Sequence, residues 1–327
     1  DTAIKMLRKQ CRGKVVLTDM QARDLAKACC LHVLALEHVG AQLRLKCGGR
    51  RGKCCSPSDV LALIQDRARS LSEKFQSKGK RVNVDACLAL SLEDLEGEPA
   101  LKRLALGLAV FPVEREIPLG ALVRLCRSSD RSGVRRMVVE LDVRSIVSVS
   151  DKDVISVHGL MHGLLEGQAQ AVTGVAAAAT AGNGGGGESK SEDDGVRSAL
   201  RFFEAYHYVR SSTRFDALRE ATEKYGEELA DEEEIVMAAI EANGAALGFC
   251  SERLRGEERC VRAAMESFGY EGLGGLFPFG EGVVDMAERM LRRDVDGAEQ
   301  VLGAEHPDTL TSINNLAALL SARGKVD

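Results

Sequence analysis

Apolar residues recur at intervals of three and four between Asp19 and Lys46: Leu25, Ala28, Leu31, Ala35, Val39 and Leu43 form one stripe. That spacing places them on one helical face and predicts a helix over 19–46, interrupted at Gly40. Cys47 to Pro57 breaks the period with glycines and a proline and reads as a loop. Ser58 is placed to cap a helix over 59–75, with Val60, Ile64, Ala68 and Leu71 on its inner face. Two more helices are predicted over 84–95 and 98–110, the second stopped by Phe111-Pro112. Ile117-Pro118 predicts the opening of a short helix, and Ser132-Gly133 precedes another over 134–141. There the period changes. Val143, Ile146, Val147 and Val149 are β-branched, Ser150 to Asp153 is a turn, and Val154 to Val157 returns, which predicts a hairpin.

The order helix, helix, helix, hairpin is that of a winged helix. Residues 169–196 follow with Ala176–Ala179, Gly184–Gly187 and a charged run to Asp194, the composition of a disordered linker. Helices resume over 197–270. Asp231 to Glu234 is an acidic helix start, Asn243-Gly244 a stop, and 257–268 a second unit with Val261, Ala264 and Met265 inside. After a glycine-rich loop over 269–282, a helix over 283–302 ends at Gly303. A last helix over 307–323 opens with Pro307 and Asp308, with Leu310, Ile313, Ala317 and Leu320 as its expected buried face. The reading is mainly α: a helical bundle over 1–95, a winged helix with a small β-hairpin over 96–168, the linker over 169–196, a helical repeat unit over 197–275, and a truncated repeat over 282–327.

Charge separates the two halves. Residues 1–170 carry 28 Lys and Arg against 20 Asp and Glu, and the remainder 16 against 29. Separate modules, or a basic half facing an anion, both fit this asymmetry. Aromatics make up 4% of the chain and Trp is missing, which disfavours a base-stacking nucleic-acid platform. The chain opens at Asp1 rather than Met, which predicts a piece of a longer protein. Its start has neither the apolar core nor the cleavage site of a signal peptide, and its longest uncharged run is too weakly apolar to span a bilayer, so a cytoplasmic location without membrane contact is expected. Ten cysteines then read as reduced thiols. Cys29, Cys30, His32, His38, Cys47, Cys54 and Cys55 are a conceivable metal set, but their spacing matches no zinc pattern and no metal is expected.

The most specific motif lies at the end. Val301-Leu-Gly-Ala-Glu-His-Pro-Asp-Thr309, followed by Ser312-Ile-Asn-Asn-Leu-Ala317 and a glycine turn at Gly324, resembles a tetratricopeptide repeat of the kinesin-light-chain type over about 27 residues. Ala287 to Asp294 resembles the second helix of the repeat before it. The resemblance implies a protein or peptide ligand in the repeat groove, with Asn315, Thr311 and Ser312 at groove positions. Asn315 reads equally well as a structural amide between helices. One and a half repeats cannot close a solenoid, so Leu310 and Ile313 are expected to be half exposed, and self-association stays open.

Four weaker pieces come in order through residues 1–168. Asp24 to Gly40 resembles the Gly-Leu-Pro-Leu-Ala-Leu segment of NB-ARC (STAND-class) signalling ATPases; Leu88 to Leu95 resembles their Leu-Ser-Tyr segment; Leu106 to Pro118 resembles the start of their winged helix; and Val157-His-Gly-Leu160 stands where they have Met-His-Asp. The resemblance implies a nucleotide switch in the full-length parent, which would bind ADP or ATP. It puts His158 at the ADP phosphate, as an imidazole donor to an anionic oxygen, and Val33 and Leu34 near the adenine. His158 also reads as a strand-end histidine with no ligand. The departures are Val33 for the family's Pro, Leu31 for its Gly and Gly159 for its Asp. No Gly-x4-Gly-Lys-Ser/Thr loop occurs, so no catalytic residue and no cofactor are expected within this chain. Asp231 to Leu254 is similar to a short helical repeat of unknown function, with Arg262-Ala-Ala-Met265 opening the next copy.

The function expected is the regulatory, protein-binding arm of a signal-transduction protein. The alternative is a DNA-binding regulator, with Arg131, Arg135 and Arg136 flanking a recognition helix. The interleaved Val134, Met137, Val138 and Val139 leave that helix only a narrow polar face.

Overall fold

A computed structural model describes residues 2–11, 14–47, 56–75, 80–150, 153–180, 189–270 and 280–324. It is mainly helical with one small antiparallel sheet, and it divides into two compact units, Asp1–Ala199 and Leu200–Asp327.

The first unit opens with α1 (Thr2–Gln10), α2 (Asp19–Ala28), α3 (Val33–Cys47), α4 (Pro57–Phe75) and α5 (Lys80–Glu93). Helix α3 is the centre of this bundle and packs on α1, α4 and α5. It is buried on every side, including Leu36, His38, Gln42 and Leu43. Gly40 is needed there: a Cβ would sit 2.4 Å from the Cβ of Gln10, so only glycine lets α1 lie this close.

The single helix expected over 19–46 is two. The chain turns between Ala28 and Val33 through Cys30 and Leu31, both at positive φ (52° and 59°). Leu31, counted in the apolar stripe, is 63% exposed. Helix α2 starts on a reciprocal capping box between Thr18 and Gln21. Helix α4 starts two residues before the expected position, capped by Ser56 rather than Ser58. The Ser56 hydroxyl accepts the Asp59 N–H at 3.2 Å and the Asp59 carboxylate accepts the Ser56 N–H at 2.6 Å, while Pro57 takes the first helical position, where it has no N–H to lose.

Helix α6 (Pro99–Gly107) leads to β1 (Ile117–Pro118), α7 (Leu119–Leu125), α8 (Arg131–Val143), β2 (Ser148–Val149), β3 (Val154–Ser156) and α9 (Gly159–Thr180). The sheet order is β1-β3-β2, with Ile117 opposite Ile155 and Val149 also opposite Ile155 from the other side. Ile117-Pro118 is thus an edge strand that was not expected, and it also leads into the expected short helix, with Pro118 at the N-cap of α7. A two-residue strand carries no period, and proline is tolerated at an edge because that side needs no donor. The tip of the hairpin, 151–152, lies outside the described residues. Within the span read as a linker, 169–196, helix α9 continues to Thr180 and α10 (Ser189–Ser211) begins at Ser189; residues 181–188 lie outside the described residues.

The second unit contains α11 (Ala217–Tyr225), α12 (Glu233–Ala242), α13 (Glu252–Arg255), α14 (Glu258–Phe268), α15 (Glu281–Leu302) and α16 (Pro307–Ala322). Helix α12 packs on α14, α14 on α15, and α15 on α16. Asn243 ends α12, and its side-chain oxygen accepts the Ala245 N–H at 3.0 Å to start the 3₁₀ segment Gly244–Phe249. A Cβ on Gly244 would lie 2.6 Å from the carbonyl oxygen of Ala264, so glycine sets how closely this segment meets α14. Arg262 pairs with Asp294 at 3.0 Å, and Arg293 pairs with Glu258, both across the α14–α15 contact. Most of the expected glycine-rich loop lies outside the described residues, since 271–279 are not among them.

Helix α16 turns a different face inward from the one expected. Thr309 and Leu319 are buried, whereas Ala317 is exposed and Leu310 (48%) and Ile313 (36%) have the half exposure expected of a repeat that is not closed. Periodicity alone does not choose between two apolar faces of one helix; the contact with α15 does.

Candidate functional site

Within the first unit a cavity of about 500 Å³ opens between α3, from its start to its last turn, the end of α8, and strands β2 and β3. Leu34, Glu37 and Arg44 line it from α3, Asp142 and Val143 from α8, and His158 from the residues after β3, with Lys14 at the rim. The cavity thus joins two of the three residues singled out for a nucleotide, Leu34 and His158. The third, Val33, is 57% exposed and is not part of the lining.

His158 stands between strand and helix. Its Nδ1 accepts the Leu160 N–H at 3.2 Å. With Nδ1 an acceptor, the neutral ring carries its proton on Nε2 and presents that group as a donor. His162, one turn along α9, is buried, and its Nε2 lies 2.7 Å from the Phe111 carbonyl. Only His158 of the pair therefore lines the cavity. Arg44 is committed to structure: its guanidinium donates to the Gln10 carbonyl and, at 3.4 Å, to that of Val143. The lining mixes both signs, with Lys14 and Arg44 against Glu37 and Asp142.

Three buried polar residues sit together in the bundle. His38 Nδ1 lies 2.8 Å from Ser91 Oγ, and the Gln42 amide donates to the same oxygen at 3.5 Å. His38 Nε2 and Gln42 Oε1 have no hydrogen-bond partner among the described residues. Burial, with a smaller push from nearby His158, holds the His38 imidazole down to about 3. The sequence analysis offered His38 as a metal candidate and did not single out Ser91 or Gln42. His at position i with Gln at i+4 on a helix with no polar face was the signal available. Among the described residues no group of three or more His, Cys, Asp or Glu is placed to hold a metal ion. Cys54 and Cys55 lie outside the described residues.

The arginines of α8 are occupied. Arg135 pairs with Asp153 at 2.8 Å and Arg136 with Asp130 at 3.4 Å. On α16, the Thr311 and Ser312 hydroxyls donate back to the carbonyls of Pro307 and Asp308, at 2.9 and 3.1 Å, and Asn315 is half-buried. The helix itself is well founded. His306 caps it by accepting the Asp308 N–H at 3.2 Å, Thr309 Oγ1 donates to the Gly303 carbonyl at 2.8 Å, and Arg323 ties its far end to Asp285 at 2.7 Å and Glu288 at 2.5 Å.

A tetratricopeptide repeat family model matches residues 282–308. The match covers α15, the turn at Gly303 and the first residues of α16; of the motif read over 301–327 it takes in only 301–308 and ends before the Asn-Asn-Leu-Ala segment. No curated protein matches the chain. Among the described residues no helix is long and apolar enough to cross a membrane. A repeat of this kind is a protein-interaction module, and that much of the function follows from the match.

Proposed function

We propose that the chain is the regulatory, protein-binding arm of an NB-ARC-class signalling protein and carries no catalysis of its own. The observation that carries the protein-binding part is the match of α15 and the turn into α16 to a tetratricopeptide repeat, with α15 packed between α14 and α16. Such repeats bind through surfaces built by stacking, so the partner is a protein or peptide.

The signalling part rests on the cavity. Leu34 and His158 come from segments far apart in sequence that resemble two NB-ARC motifs, and they line one space. Leu31, which stands where that family has glycine, has φ 59°, a conformation glycine adopts freely. The helices α7 and α8 followed by the β2–β3 hairpin support a winged-helix reading. In the full-length parent His158 Nε2–H would donate to a phosphate oxygen of ADP. The DNA-binding reading is disfavoured because Arg135 and Arg136 are held by acids of the same unit.

The experiment is affinity capture with the whole chain, comparing the unaltered protein with Asn315→Ala and Thr311→Ala. A partner retained by the unaltered chain and released by these surface changes, with helicity intact, supports the reading. A partner held equally by all forms moves the binding surface elsewhere. Titration of the full-length parent with ADP, before and after His158→Ala, tests the nucleotide part. Saturable binding lost on substitution supports it, and identical curves reject it.

A further inference from the structure

Among the described residues, the most exposed large apolar side chains of the first unit lie in one short stretch of chain. Val16 is 89% exposed, Met20 72%, Leu31 63% and Val33 57%. Helix α2 joins them. Met20, Arg23 and Lys27 stand at i, i+3 and i+7 and are exposed along about 10 Å of its solvent face, while Ala22, Leu25 and Ala26 pack inward. Val16 comes two residues before the Thr18 cap. Leu31 lies just past the far end, where its N–H donates to the Ala26 carbonyl at 3.0 Å. Along α2 the order is thus apolar, basic, apolar. The capping box pins one end and that turn the other, so the surface is preformed. Arg23 and Lys27 have no ion pair or side-chain hydrogen bond among the described residues. Of the acids nearby, Asp19 is held by Arg8 at 2.5 Å and Asp24 is half-buried. Residues 2–33 carry seven Lys and Arg against these two acids. Apolar side chains this exposed, gathered on one side of a helix, mark an interaction surface.

We propose that this face of α2 binds an acidic amphipathic helix of a partner protein. The partner's carboxylates pair with Arg23 and Lys27. Its apolar side chains, on the same face to either side of those acids, cover Val16 and Met20 at one end and Leu31 and Val33 at the other. Charge selects this occupant. Two uncommitted cations in a stretch of net positive charge repel a basic surface, and a purely apolar one would strip their water with nothing to pair them. A bilayer fits the face less well. A helix lying in a membrane keeps its cations on the side opposite its apolar residues, whereas here both share one side, and sinking Met20 would carry Arg23 and Lys27 toward the acyl chains. Val16, Met20, Arg23, Lys27, Leu31 and Val33 belong neither to the cavity lining nor to the tetratricopeptide match, so the surface is independent of nucleotide at His158 and of a ligand in the repeat groove.

The test is fluorescence anisotropy of the whole chain with a labelled synthetic helical peptide, one face of which carries Leu, Glu, Glu and Leu in turn. The same peptide with Lys in place of Glu is the control. The Glu peptide is expected to bind saturably and more weakly as salt rises, and the Lys peptide not to bind. Met20→Ser should weaken the Glu peptide about tenfold, the effect of re-exposing one apolar anchor. Arg23→Glu with Lys27→Glu should release the Glu peptide and capture the Lys peptide, an exchange that a merely damaged fold would not give. All three side chains are exposed, and circular dichroism checks that the variants keep their helicity; should the double variant lose it, Met20→Ser decides alone. Equal binding of the two peptides, no saturable binding of the Glu peptide, or binding that these variants leave unchanged overturns the proposal. So does retention on phosphatidylserine vesicles that the same variants abolish, which would make the face a membrane contact.

Discussion

Two turns between successive helices in this chain are made over a few residues with opposite chemistry. Between α15 and α16 the positive φ falls on a glycine, Gly303 at 89°. His306 then caps the next helix, Pro307 opens it, and Thr309 closes the turn onto the Gly303 carbonyl. Between α2 and α3 the positive φ falls on Cys30 and Leu31, no glycine is present, and the apolar period runs straight through the turn. In the first pair every local preference agrees with the fold. In the second the fold is imposed by burial of α3 and by contacts with α5. The difference teaches where each region keeps its stability: one in its own turn, the other in its neighbours.

The sharpest way to test that division is a close approach in the second unit. Gly244→Ala places a Cβ 2.6 Å from the Ala264 carbonyl oxygen and 2.7 Å from the Phe268 Cβ, and backbone cannot swing aside as a side chain would. A loss of about 3 kcal/mol is expected in denaturant unfolding, the upper end of overpacking costs. A change below a few tenths would mean that the array does not depend on this contact.

In the first unit the corresponding dependence is on a buried imidazole. His38 is held neutral, at about 3, well under the usual histidine value. A depressed group contributes stability that is present above its unfolded pKa and is lost as pH falls toward the folded one. Between neutral pH and pH 5 the unfolded chain gains a proton that the folded chain refuses, at a cost of about 2 kcal/mol. His38→Leu removes that slope, so the variant's stability falls less than the unaltered chain's over the same window. Parallel pH profiles for the two forms would sink the assignment.

Gly303→Ala comes next. With φ 89° and ψ 159°, the site lies in a region nearly confined to glycine, and a loss of about 2 kcal/mol is expected in thermal unfolding. The loss should appear in the second unit's transition where the two units melt apart.

How much was legible follows the same line. The α15–α16 turn was readable because Gly303, Pro307 and Asp308 each carry a local signal at the right offset. The inner face of α16 was not, because Leu310 and Thr309 are neighbours on the helix and only α15 decides between them. Strand β1 was missed because two residues have no period, and its partner β3 lies far along the chain. Leu34 and His158 were chosen by resemblance, and it is tertiary packing that brings them to one cavity. Ser91 was not singled out because a buried polar contact between two helices has no spacing rule, and Gln42 shows only as a second polar residue four positions after His38.

The smallest effect isolates the α2–α3 turn. Leu31 is 63% exposed, so its side chain contributes little packing, while its φ of 59° costs a residue with a Cβ. Leu31→Gly removes that cost, and glycine's greater freedom in the unfolded chain offsets part of the gain. A net stabilisation of about 1 kcal/mol is expected in denaturant unfolding. Here a glycine stabilises, where Gly303→Ala shows that losing one destabilises, so the two variants move in opposite directions for one physical reason. A destabilised Leu31→Gly would mean that the exposed side chain holds the turn through contacts of its own, and that the strain is not what distinguishes the two helix pairs.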